Sequence, residues 1–231
     1  MASSELIFDT NIFIRALHPN FEFYSECVKA IQNSGHQQYL AAETTVVELE
    51  RGLSSLELLQ KTVLENYELN EPIVVKKLKD QFLKEAERIE NHALSFNLLE
   101  AAAKDEQQSM FDFKQMLRKM AAKIRYFLLL TESKLLPNAG ILFNKIGKIL
   151  DAKKQSRSTQ ADARMIDDAV YFAAQRAGIG LKVVLTTLEK KLIDKEPEII
   201  SMICNHFKPL AGFFDGTISR SFEIRHVKYL D

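Results

Sequence analysis

The sequence predicts an α/β fold in which a central, mostly parallel sheet is covered by helices and interrupted by a large helical insertion. Three observations predict it. Short apolar runs alternate with helix-spaced segments over the first 53 residues, the order that builds parallel sheets. From 54 to 155, Gly and Pro are nearly absent and apolar residues recur at three and four, so helices take over. A polar connector, 156–160, then leads into an alanine-rich helix and a continuous apolar strand. A chain of 231 residues can bury one enlarged domain, 1–231, with the insertion at about 54–155.

Element by element, Glu5-Leu6-Ile7-Phe8 reads as a buried strand ending at Asp9. A short helix carries Ile12, Phe13, Ile14 and Leu17 and closes at His18-Pro19-Asn20. Phe23, Cys27, Ala30 and Ile31 share a helical face that ends at Asn33-Ser34-Gly35. Tyr39-Leu40-Ala41-Ala42 predicts a second strand, and Thr44 or Thr45 caps a helix through Val46, Val47 and Leu49. Four or five helices fill the insertion, with breaks near Asn70-Glu71-Pro72 and Pro137-Asn138-Ala139-Gly140. A helix from about Thr159 to Ala177 precedes the strand Lys182 to Thr187. A helix, the segment Ile199 to Phe207 and a strand near Phe222 to Tyr229 complete the chain.

Composition narrows the class. Apolar residues make up 46% and charged ones 27%, which is globular rather than disordered. The 31 basic and 31 acidic residues cancel, so total charge points to no partner. No apolar run approaches the roughly 20 residues of a membrane span, and Leu6-Ile7-Phe8 is too short for a secretory core. The expected location is therefore intracellular, in the cytoplasm, with no membrane partner. Cys27 and Cys204 stand far apart in amphipathic contexts and read as buried reduced thiols.

Chemistry concentrates in acids. Asp9 ends the first strand, and open α/β sheets bind ligands outside the carboxyl ends of their strands. Glu48 lies one turn into the helix after the second strand. Asp167 shares a helical stripe with Ala163, Val170 and Ala174, so it turns toward the sheet, while Asp168 points about a hundred degrees away. A carboxylate on a core-facing stripe must be paired, protonated or bound to metal. Carboxylates converging without His or Cys select hard cations, so Mg²⁺ or Mn²⁺ is expected, and such a centre suits phosphodiester hydrolysis. Structural uses exist for each acid. Asp9 can cap the following helix, Asp162 fits a capping box with Thr159, and Glu189 suits the first turn of a helix.

These residues resemble the signatures of the PIN-domain nuclease family. An apolar strand runs into Asp-Thr-Asn in Leu6-Ile7-Phe8-Asp9-Thr10-Asn11. An apolar pair precedes Glu-Leu in Val46-Val47-Glu48-Leu49. Asp167-Asp168-Ala169-Val170-Tyr171-Phe172-Ala173-Ala174 is followed by Val183-Val184-Leu185-Thr186-Thr187-Leu188-Glu189. The resemblance covers roughly the first 53 residues and about 158–195. It implies a three-layer α/β fold and single-stranded RNA cleavage by metal-activated water. Asp9, Glu48 and Asp167 would ligate the metal, with Glu189 in place of a fourth acid that is usually Asp. Asn11 and Thr187 would hold those carboxylates or their waters. Asp162, Asp167 and Asp168 all remain candidates for the third ligand, and Asp168 joins the catalytic set.

The insertion hides a basic bias. Between Phe113 and Arg157 stand Arg118, Lys119, Lys123, Arg125 and further lysines against only Glu132 and Asp151. With Phe111, Phe113 and Tyr126 nearby, this stretch predicts RNA contact, and a solvated helix face explains it equally. A homodimer or an inhibitor protein also fits as partner. Two other functions compete with the nuclease. One is a catalytically silent PIN-like scaffold that binds RNA or protein through its insertion. The other is a phosphohydrolase with Asp9 as nucleophile, which is weakened because Asn11 stands where a second acid is wanted.

Overall fold

The computed structural model describes residues 4–33, 39–66, 110–132, 135–136, 139–150, 157–177, 181–207 and 221–229. Its elements run β1 (Ser4–Phe8), α1 (Thr10–Arg15), α2 (Tyr24–Asn33), β2 (Tyr39–Leu40) and α3 (Glu43–Asn66). They continue with α4 (Met110–Glu132), α5 (Phe143–Leu150), α6 (Arg157–Ala177), β3 (Lys182–Thr187), α7 (Lys190–Phe207), β4 (Phe222–His226) and a 3-10 turn, Val227–Tyr229. The strands form one sheet in the order β2-β1-β3-β4, with every pairing parallel. The fold is thus α/β with a parallel sheet, as the alternation of elements predicts.

The chain divides into two compact units. One contains 1–12, 29–46 and 131–231, and the other contains 13–28 and 47–130. The sheet belongs wholly to the first. Its register sets Ile7 beside Leu185 and Leu185 beside Ile224, so these side chains share one face. All three are at most 2% exposed and sit in one core cluster with α6 and α7 residues. Strand β3 is buried at every position from Val183 to Thr187, which is why it reads as a continuous run of Val, Leu and Thr rather than an alternating one. Small residues on α6, namely Ala163, Ala169 and Ala173, are fully buried and let the helix lie close against the strands. Truncating Leu185 to Ala in such a core costs about 2–5 kcal/mol.

The helical unit is organised around α3 and α4. The rings of Phe13 and Phe127 meet at 5.2 Å, and Leu49, Leu56, Leu117, Met120 and Ile124 are buried. Lys123 Nζ donates to the carbonyls of Ala16 and Leu17 at 3.2 and 2.9 Å and lies over the Tyr24 ring. It thereby satisfies acceptors that follow the end of α1. Arg125 pairs with Glu57 of α3 at 2.6 Å.

Several local expectations change. Helix α3 begins at Glu43, with the Ala42 carbonyl accepting from the Thr45 and Val46 amides, so neither Thr44 nor Thr45 is the cap. Helix α6 begins at Arg157, which places Thr159 and Asp162 inside it rather than at a capping box. Pro197 lies within α7, and the two segments expected there are one helix. Cys27 is buried and free, with its thiol pushed up to about 12 chiefly by burial, whereas Cys204 is exposed. Helix α5 belongs to the sheet unit, although the sequence places 54–155 together in the insertion. The expected break at 70–72 lies outside the described residues. No helix among the described residues is long and apolar enough to cross a membrane.

Candidate functional site

Adjacent parallel strands bring β1 and β3 to the same rim. Phe8 pairs with Thr186, and the Asp9 amide donates to the Thr186 carbonyl at 3.0 Å, so Asp9 leaves the sheet beside Thr187. Asp9 also occupies the N-cap position of α1, its carbonyl accepting from Ile12. Its side chain is 5% exposed. Burial of an acid demands donors, and among those that reach Asp9 Oδ2 are the Thr187 hydroxyl at 2.7 Å and Asn11 Nδ2 at 3.4 Å. The same Asn11 amide donates to Glu189 Oε1 at 3.0 Å, and the Glu189 backbone amide donates to Thr187 Oγ1 at 3.0 Å. Residues 178 positions apart therefore close one ring of bonds. Asp9, Asn11, Thr187 and Glu189, singled out from the sequence, are one cluster.

Asp167 and Asp168 are held differently. Helix α6 packs on β3, and β3 begins five residues after the helix ends, so the two run antiparallel. Asp167 Oδ1 accepts from the Leu142 amide at 2.8 Å, and Asp168 Oδ1 from the Ala139 amide at 2.9 Å. Leu142 is the N-cap of α5, its carbonyl accepting from Lys145 and Ile146, so Asp167 anchors the start of that helix. Gly140, at φ 65°, allows the segment to curl its amides toward the carboxylate.

Burial dominates the electrostatics of this pair. It holds the Asp167 carboxyl above its ordinary range despite the opposing amides of residues 140–143. It pushes Asp168 up to about 6, with the Ala139 amide opposing, the Asp167 charge adding, Arg164 opposing and Glu43 adding. Asp167 Oδ2 and Asp168 Oδ2 are both buried with no hydrogen-bond partner among the described residues. These are acceptors without a donor, in side chains each 1% exposed.

Glu48 stands on the second turn of α3, half-buried, in the helical unit. The described residues contain no group of three or more His, Cys, Asp or Glu arranged to hold a metal ion. Of the basic residues expected to meet RNA, Lys123 and Arg125 are engaged as described above, while Arg118 and Lys119 are exposed. Two features escaped the sequence reading: the anchoring of Ala139 and Leu142 by the α6 acids, and the approach of Glu43 to Asp168. The only sequence signal for the first was the break ending at Gly140. The second carried none, because Glu43 looks like any first-turn acid. No family model matches the chain, and neither a curated protein nor a solved structure matches it.

Proposed function

We propose that this chain is a divalent-metal-dependent ribonuclease of the PIN type, a three-layer α/β enzyme that cuts single-stranded RNA internally. The observation that carries the reading is the Asn11 amide spanning Asp9 Oδ2 and Glu189 Oε1, with the Thr187 hydroxyl on Asp9. Two acids from distant parts of the chain are brought together at the strand ends, where like charges repel unless something offsets them. The donor set fits Mg²⁺ or Mn²⁺: every side-chain acceptor is oxygen, and two protein carboxylates are the usual complement for a cation that keeps most of its waters. When bound, such a cation supplies an acidified water and positive charge for phosphodiester hydrolysis. Asp9 and Glu189 would hold it, and the unpartnered oxygens of Asp167 and Asp168 give further acceptors on the helix that packs against β3. The chain's own work is positional. Thr187 and Asn11 fix the Asp9 carboxylate, and the Asn11 amide keeps Glu189 turned toward it. Glu48, carried by the other unit, is not needed for this proposal.

The test is cleavage of end-labelled single-stranded RNA by the wild type and Asp9→Asn, with Mn²⁺ or with chelator. Metal-dependent internal cleavage is expected in the wild type alone, with both proteins equally stable without metal. A mutant as fast as the wild type overturns the proposal. Mn²⁺ should also raise the melting temperature of the wild type and not of the mutant.

The backbone anchoring of Asp167 and Asp168 favours a second reading, a silent scaffold in which those acids only hold the start of α5. It predicts RNA or protein binding that chelator leaves unchanged, and no cleavage.

A further inference from the structure

Helices α5 and α7 pack against each other and leave an open groove between them, with a cavity volume of about 620 Å³. Its floor is apolar: Ile149 and Met202 are partly buried against the sheet-unit core, and Pro197 lines the same cavity. One end is cationic. Lys145 Nζ stands 3.1 Å from His206 Nδ1. An ammonium only donates, so Nδ1 accepts in this contact, and the ammonium keeps further protons for another acceptor. Ser201 and Asn205, one turn apart on α7, line the cavity with a hydroxyl and an amide. The acid of the groove, Glu198, is paired with Lys195 at 2.6 Å. Apolar bottom, neutral polar wall and ammonium end match a flat ring joined to an anion.

We propose that this groove binds one nucleoside phosphate unit, its base on Ile149, Pro197 and Met202 and its phosphate on Lys145. The volume lies within the range of small-ligand pockets. The inference rests on the ribonuclease reading for its setting. Helix α7 starts next to Glu189, and Ser201 lies ~18 Å along it, a length comparable to a few nucleotides of extended single strand.

The experiment measures binding, in chelator and in the Asp9→Asn background so that cleavage cannot interfere. The probes are a fluorescent eight-nucleotide oligouridylate and uridine monophosphate. Lys145→Ala should weaken oligonucleotide binding about tenfold and lower the slope of log affinity against log salt by about 0.7, the loss of one single-strand phosphate contact. Met202→Asp should weaken both probes, by putting a charge on the base floor. Equal weakening of both probes by Lys145→Ala assigns the groove to free nucleotides of the same chemistry. Affinities within about twofold of the parent for both variants overturn the proposal. The two readings fail separately: unchanged binding with metal-dependent cleavage intact removes the groove alone, and altered binding in a wild type that never cleaves removes the nuclease alone.

Discussion

Two pairs of acids occupy the sheet unit, and they are stabilised by different kinds of donor. Asp9 and Glu189 are held by side chains, the Asn11 amide and the Thr187 hydroxyl. Asp167 and Asp168 are held by backbone amides of residues 139–142. A side-chain donor can rotate away and let a carboxylate exchange partners, whereas a backbone amide at a helix start is fixed by the fold. The first arrangement suits acids that take a ligand, and the second suits acids that position a segment. The orphaned second oxygens of Asp167 and Asp168 keep the second pair from being purely structural, since a buried acceptor without a donor is costly.

The largest effect that separates the pairs is on activity. Asn11→Ala removes the side-chain amide that reaches both carboxylates, and losing such an outer partner lowers metal affinity or turnover by about 10–100-fold. Steady-state cleavage across an Mn²⁺ titration reads it. Unchanged kinetics would mean the bridge has no part in the chemistry. Asp167→Ala should act instead on stability. It leaves the buried Leu142 amide unmet, at about 1–3 kcal/mol, or a melting point lower by ~2–4 °C per kcal/mol. Asp167→Asn keeps an acceptor for that amide and should recover most of the loss. If Asp167→Asn abolishes cleavage while melting like the wild type, Asp167 belongs with Asp9 after all.

The same contrast explains what the sequence discloses. Asp9 is legible because the apolar run of β1 ends at it, whereas Thr187 is expected only from the PIN resemblance; parallel register places the two strand ends together. Asn11 and Glu189, three and two residues beyond those strand ends, are legible only through the PIN resemblance. The anchoring of Asp167 and Asp168 is illegible because backbone amides carry no residue signature, and only Gly140 hints at the turn. Cys204 and the run through Pro197 misled for a related reason. Helical spacing shows which residues share a face, but not which face meets a neighbour or how far one helix continues.

Protonation offers a third separation. The folded protein holds a proton on Asp168 up to about pH 6, while an unfolded Asp releases it near 3.9. Between those values the native state binds more protons, so stability falls as pH rises through the window and the penalty is complete above it. Denaturant midpoints between pH 4 and 7 should show that decline. Asp168→Asn, which still offers Ala139 an acceptor, should flatten it and gain on the order of 1–3 kcal/mol at pH 7. A metal ion at the unpartnered oxygens would favour the ionised form, so Mn²⁺ should also flatten the decline in the wild type. A slope identical in wild type and mutant would mean that Asp168 titrates normally.

The smallest effect lies in the helical unit and asks whether its basic residues serve RNA or the fold. Lys123 donates to two carbonyls just past α1 and lies over Tyr24, so its charge is used internally. It also helps lower the His18 imidazole below its ordinary range, after burial itself, with Lys119 adding to the effect. Lys123→Ala should cost about 1 kcal/mol or more, since the ammonium's hydrogen bonds to the carbonyls of buried Ala16 and Leu17 are lost. RNA affinity and its salt dependence should not move. Arg118→Ala, at an exposed position, should do the reverse if α4 meets the phosphate backbone, lowering the salt slope without changing the melting point. Finding that Lys123→Ala weakens RNA binding as much as Arg118→Ala would show that the ammonium leaves its carbonyls when RNA arrives.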